Sequence, residues 1–324
     1  MNLSRRQFLS VMGSSMVLPF LPGCFHTERT LTIASHVWPG YEFMFLARDE
    51  QWLPQNGVIL KETGSASDSI KALEEGTVAG AALTLDEVLR VRSRGIPLTV
   101  VLVFDVSAGA DAVLARPGIN EPADLVGKRI GYERSALGAL MFHELLEAAH
   151  LQPEAVTRVP VNIDRHLHAW KEEQLDAVVT YEPEITKLEN VGAHRIFDSY
   201  RMPGMILDVL AVKSDLIEIY AEGITHLVQA HFKGLHHLKT NRQDAIHRIA
   251  PRLGIPAQNV LEAYKGLELP DTRTNRVYLG KQTHKLPTAA RTLSSLMLKA
   301  NLLKQEDDLE GICTDKFIPA SELS

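Results

Sequence analysis

Seven acidic residues stand at or beside the ends of short apolar runs, where loops begin: Glu42, Asp86, Asp105, Asp111, Glu133, Glu182 and Asp208. A carboxylate taken out of water needs a partner charge or several hydrogen-bond donors. Two or three of these acids converging would therefore favour a cationic or amine-bearing molecule. The competing reading is that each caps a helix or sits in solvent, as most loop acids do. Opposed to the acids are two stretches of small and hydroxyl side chains at predicted helix starts, residues 65–69 and 135–138. Exposed backbone N–H groups there suit an anionic head, and ordinary N-capping by serine explains the same residues equally well. Trp38, Tyr41, Tyr132 and Tyr181 share these loops, and aromatic faces can stack on a planar ligand or hold a cation. The expected ligand-binding set is Trp38, Tyr41, Glu42, Ser67, Thr84, Asp86, Asp111, Glu133, Ser135, Tyr181, Glu182 and Asp208. A zwitterion, or an amine with a polar head, fits both halves of that set.

Other chemistries find less support. His226, His231 and His236 are spaced by five, which turns each about 140° from the last on a helix, so they share no face. His166 and His168 flank a helix start and read as surface residues. The cysteines are Cys24 and Cys313, too few for a disulfide framework if Cys24 is modified, and Cys313 reads as a small apolar filler. No nucleophile elbow, phosphate loop or zinc-protease motif is present. We therefore expect no catalytic residue, no metal and no cofactor.

The loops are positioned by a repeating plan. Leu31–Ser35 is a β-like run opening into Trp38-Pro-Gly-Tyr-Glu42, and residues 43–53 carry apolar positions at helical spacing. Residues 58–61 and 69–75 form the next strand and helix, and residues 79–83 and 87–94 the one after. A later stretch echoes an earlier one: residues 72–86 and 169–182 align on Thr84 and Thr180, 96 positions apart, with one gap. Repetition of this kind predicts an α/β fold of two Rossmann-like lobes with mainly parallel sheets, joined by two crossovers. Ligands of such sheets sit outside the carboxyl ends of the strands, so the named loops would meet at one cleft. The carboxyl-terminal part is helical by pattern over 217–239, 244–253, 256–267 and 289–303, with Gly254-Ile-Pro256 a break and restart.

Trp38-Pro-Gly-Tyr-Glu42 leading to Phe45-Leu-Ala-Arg-Asp49, then Asp105-Val-Ser-Ala-Gly-Ala-Asp111, Gly127-Lys-Arg-Ile-Gly131, Thr180-Tyr-Glu-Pro183 and Phe197-Asp-Ser199, resemble the nitrate/sulfonate/taurine class of periplasmic solute-binding proteins. That class also includes binders of thiamine-precursor pyrimidines. The resemblance covers residues 30–310 and implies a type II periplasmic-binding fold, with residues 31–106 and 207–324 in lobe I and 107–206 in lobe II. It further implies a monomer that hands a small ligand, taurine-like or aminopyrimidine-like, to an ABC permease. A sensor subunit for a membrane receptor, or a pyrimidine-biosynthesis type of enzyme on the same fold, are the alternatives.

Ser4-Arg5-Arg6-Gln7-Phe8-Leu9 forms a twin-arginine export signature, followed by an apolar stretch far short of the roughly 20 residues that span a bilayer. Leu21-Pro-Gly-Cys24 resembles a lipobox, implying cleavage after residue 23, a lipid on Cys24 and a linker over 24–30. The expected location is the periplasm, at a membrane held through the lipid anchor. Removing Arg5 and Arg6 takes the formal charge from −6 to −8. A chain this acidic has no general electrostatic reason to hold nucleic acid.

Overall fold

The structure, a computed structural model, describes residues 29–54 and 57–320. The twin-arginine run and Cys24 lie outside the described residues. The first half of lobe I runs β1 (Leu31–Ser35), α1 (Glu42–Asp49), β2 (Val58–Glu62), α2 (Ala66–Glu74), β3 (Gly80–Thr84), α3 (Leu85–Arg92) and β4 (Leu98–Ser107). Lobe II follows as β5 (Asp111–Ala115), β6 (Arg129–Tyr132), α4 (Ala136–Ala149), β7 (Thr157–Pro160), α5 (His166–Lys171), β8 (Ala177–Tyr181), α6 (Glu184–Glu189) and β9 (His194–Asp198). The chain then returns as β10 (Leu207–Lys213), α7 (Ala221–Thr240), α8 (Arg242–Leu253), α9 (Val260–Ala263), β11 (Leu267–Glu268), α10 (Thr272–Leu279) and α11 (Lys285–Lys299).

Two sheets result, ordered β11-β4-β10-β3-β1-β2 and β7-β6-β8-β5-β9. In the first, β1 is parallel to β2 and β3, while β10 runs antiparallel between β3 and β4. In the second, β6 is parallel to β7 and β8, and β5 is antiparallel to β8 and β9. Every residue of β3, β4, β5 and β8 is buried. Strands covered by helices on both faces read in sequence as unbroken apolar runs, as residues 100–104 of β4 do. The echoed segments are the same unit in each lobe, α2 leading to β3 and α5 leading to β8.

The chain passes between lobes at 108–110 and again at 199–206. The passages are tied to each other: the Gly109 N–H donates to Ser199 Oγ at 2.6 Å and the Ser107 N–H to Ile206 O at 3.0 Å.

The carboxyl-terminal reading needs correction. Residues 256–267 do not form one helix; a short turn and α9 end at Ala263, and Leu267–Glu268 joins the first sheet as an edge strand against β4. Helix α10 had no counterpart in the sequence reading. It is anchored by Asn275, whose side chain takes the Val103 N–H at 2.8 Å and donates to Val103 O at 3.0 Å.

Candidate functional site

Acids fall into rows where β3, β4 and β8 end and the antiparallel strands β10 and β5 begin. Asp208 of β10 stands directly opposite Thr84 of β3 on one side and opposite Asp105 of β4 on the other, and residues so paired present their side chains to one face. Across from them, Asp111 opens β5 opposite Tyr181 at the end of β8. The loop after β1 supplies the donors. Trp38 Nε1 donates to Asp105 Oδ2 at 3.0 Å, and the Tyr41 hydroxyl donates to Asp208 Oδ1 at 2.5 Å. Gly40, between them, leaves the room that Asp105 fills: a Cβ there would lie 1.7 Å from Asp105 Oδ2 and push that side chain aside.

A narrow gap of about 10 Å³ lies between the lobes, room for one water-sized group and far below the roughly 300 Å³ at which ligand pockets begin, so a ligand enters only with the lobes further apart. His36, Trp38, Ala66, Thr84, Glu87 and Asp208 line it from lobe I, and Asp111, Leu137 and Tyr181 from lobe II. The rings of Trp38 and Tyr181 meet edge-on across the lobes with centroids 5.6 Å apart, and His36 lies 5.9 Å from Tyr181.

Charge is one-sided in this cavity. Glu87 Oε1, Asp111 Oδ2 and Asp208 Oδ2 have no hydrogen bond of normal geometry, nor has Asp105 Oδ1 behind them, the nearest help being weak contacts with Thr84 and Ser107 and a proton shared between Asp105 and Asp208. No lysine or arginine is among the lining residues. His36 does not compensate, because burial, helped by Arg252, lowers its pKa to about 3 and keeps the ring neutral. Burial pushes the Asp111 carboxyl up to about 7, and Asp105 likewise to about 7. Asp208 is held well above the usual carboxylate range by burial and by the neighbouring charges of Asp105 and Asp111. Three carboxyl groups that resist ionising together, walled by aromatic rings, would be relieved by one compact cation.

The expected residues divide. Trp38, Thr84, Asp111, Tyr181 and Asp208 line the cavity, and Tyr41 supports Asp208 from beneath. Glu42 turns away: it is 1 % exposed and paired with Arg252, whose guanidinium lies 3.3 Å over the Phe45 ring. Glu182 accepts the Thr186 N–H at 3.1 Å and faces a separate cleft with Glu189 and Arg195. Ser135 caps α4 by accepting the Gly138 N–H at 3.0 Å. Glu133 and Ser67 bond to each other across the lobes, Ser67 donating to Glu133 Oε1 from its N–H at 3.0 Å and its hydroxyl at 2.9 Å.

Asp86 is buried at the start of α3 without lining the cavity, while its neighbour Glu87 does line it. One Glu87 oxygen takes the Thr84 N–H at 3.1 Å, leaving the other for the cavity. Thr84-x-x-Glu87 is the spacing of a capping box, a signal readable in the sequence. His36, Ala66 and Leu137 also went unread. His231 is caged by Phe43, Phe104 and Phe232, and among the described residues no group of three His, Cys, Asp or Glu is arranged to hold a metal ion. Cys313 donates weakly to Leu279 O at 3.6 Å, its thiol pushed up to about 11 by burial, and it does not reach the cavity. No helix among the described residues is long and apolar enough to cross a membrane.

The family model described as NMT1/THI5 like matches residues 38–245. The taurine-binding periplasmic protein of Escherichia coli strain K12 is 21% identical over 271 residues, 78% of each chain. Among solved structures, the alkanesulfonate-binding protein SsuA from Xanthomonas axonopodis pv. citri bound to MOPS superposes with a TM-score of 0.72 at 17% identity, covering 88% of this chain and 97% of that one. The desulfurization enzyme DSZB superposes at 0.62 with 18% identity over 89% of this chain and 97% of its own. At these identities the two structures speak to the fold, which is the two-lobed α/β plan.

Proposed function

The chain belongs to the NMT1/THI5-like family, and from that premise we propose that it is an extracytoplasmic solute-binding protein that captures a small amine-bearing molecule between its lobes for an ABC importer. The carrying observation is the trio of carboxyl oxygens without a hydrogen bond of normal geometry, Glu87 Oε1 and Asp208 Oδ2 from lobe I and Asp111 Oδ2 from lobe II. An ammonium group has three donors on one compact charge. Held by acids of both lobes, it would bind the closed form better than the open one, and that difference drives closure. Taurine carries such a group; an aminopyrimidine offers instead a planar, uncharged two-donor amine, with Trp38 and Tyr181 as the aromatic wall. The reading includes export by the twin-arginine route and lipid attachment at Cys24. Replacing Cys24 by Ser should release the exported protein from membranes; a variant still retained there contradicts the anchor.

A thermal-shift titration separates the ligand chemistries with four probes at pH 8: ethylamine, taurine, ethanesulfonate and 4-aminopyrimidine. A bound ligand stabilises as the logarithm of its concentration over its dissociation constant. The expected result is a dose-dependent rise of the midpoint with one or more of the amines and none with ethanesulfonate. A rise with ethanesulfonate alone would overturn the amine reading.

A further inference from the structure

Glu133 is the acid with the least obvious purpose. It follows β6 in lobe II, is 2 % exposed, and reaches across to the first turn of α2 in lobe I. Its Oε1 takes both the N–H and the hydroxyl of Ser67, and its Oε2 receives the Tyr181 hydroxyl at 3.4 Å. Ser67 is the second residue of α2, so its N–H is one of the donors a helix start leaves unpaired. Ser65 serves the Asp68 N–H of the same turn at 3.2 Å. The backbone that carries the carboxylate is packed from behind. Gly138 of α4 packs so closely that a Cβ there would lie 2.2 Å from Glu133 O. Beside it the Arg90 side chain of lobe I donates to Arg134 O of lobe II at 3.2 Å.

Of the two helix starts that could suit an anionic head, that of α4 is capped by Ser135 and that of α2 is met by Ser65 and, at Ser67, by the chain's own carboxylate, at a wall of the cavity marked by Ala66, Leu137 and Tyr181. We propose that Glu133 is a specificity-determining residue, which latches the closed lobes through Ser67 and excludes molecules whose anionic head would need that same position. The inference rests on the interlobe cavity being the ligand site. A sulfonate there would have to displace Glu133 or sit beside its charge, and like charges at contact in a water-poor gap repel strongly. Selection by a repelling group of this kind works without adding any contact to the accepted ligand.

The test uses the mature full-length protein and ethanesulfonate, a probe without an amine. Its dissociation constant is compared in the natural protein, in Glu133→Ala and in Glu133→Gln, the last keeping an acceptor for Ser67 but no charge. The expected result is at least tenfold tighter binding of ethanesulfonate by Glu133→Ala and a smaller gain by Glu133→Gln. Should the alanine variant not fold, a threefold gain in the glutamine variant is the expected result. Small-angle scattering should show ligand-free Glu133→Ala more extended than the natural protein. Unchanged ethanesulfonate binding in both variants overturns the selector, and unchanged scattering overturns the latch. Ethylamine binding to the natural protein reports on the amine reading separately, so the two can fail independently.

Discussion

At the scale of single residues, the account stands on Asp111 and Asp208, which offer poorly partnered carboxyl oxygens from opposite lobes. Asp111→Asn keeps the shape and removes the charge. It should weaken binding of the amine probe at least tenfold, about 1.4 kcal/mol, in a calorimetric titration; equal affinity would remove Asp111 from the site. The same groups make stability depend on pH. Asp105 and Asp111 titrate near 7 in the folded protein, against roughly 3.9 in an unfolded chain. Between those values these two groups hold more protons in the folded state, so their contribution to ligand-free stability is full below pH 4, falls as pH rises toward 7, and levels off above, while the buried rings of His36, His166 and His231, lowered to about 3 to 4, contribute in the opposite sense. The thermal midpoint of the ligand-free natural protein relative to Asp111→Asn should fall between pH 4 and 7; a difference that rises over the window would contradict the buried-acid assignment. Amine affinity should rise through the same window, because the charged carboxylates are the form that pairs. Which acids would matter was half legible. The strand-end position of Asp111 and Asp208 could be read, whereas a helix start turns Asp86 aside and presents Glu87, and Glu42 and Glu182 find partners that lie far off in sequence or on the next helix turn.

At the scale of elements, α8 secures the loop that carries Trp38 and Tyr41. Arg252 of α8 pairs with buried Glu42 at the start of α1, reaches Glu62 of β2 at 3.2 Å, and covers Phe45. Burial pushes Glu42 up to about 8 against the pull of Arg252. Removing Arg252 leaves a buried acid without its donor, at a cost of about 1–3 kcal/mol. Arg252→Ala should lose stability of that order in urea unfolding, and a loss under about 1 kcal/mol would show that the pair carries little. The amino-terminal elements were legible because strand and helix each kept a clean period. The segment after Gly254 was not: Gly266 accepts the Ala108 N–H at 2.8 Å, and the pairing of Leu267 with Ser107 draws a helix-patterned stretch into the sheet. Tertiary pairing outweighed local propensity there. Helix α10 escaped notice for a related reason, since its anchor is the polar side chain of Asn275 rather than an apolar stripe.

At the scale of the molecule, the echo between residues 72–86 and 169–182 foretold two lobes of one plan. How far the lobes close, and that the chain's own Glu133 fills the start of α2, depend on distances no sequence pattern carries. The central claim is that the interlobe cavity holds an amine on acids from both lobes. A crystal structure of the mature protein with taurine tests it most directly. The account predicts the taurine nitrogen within hydrogen-bonding reach of Asp111 and of Asp208 or Glu87, with Trp38 and Tyr181 against its chain. A sulfonate seated on Ser67 with the nitrogen pointing to solvent, or taurine found outside the cavity, would contradict it.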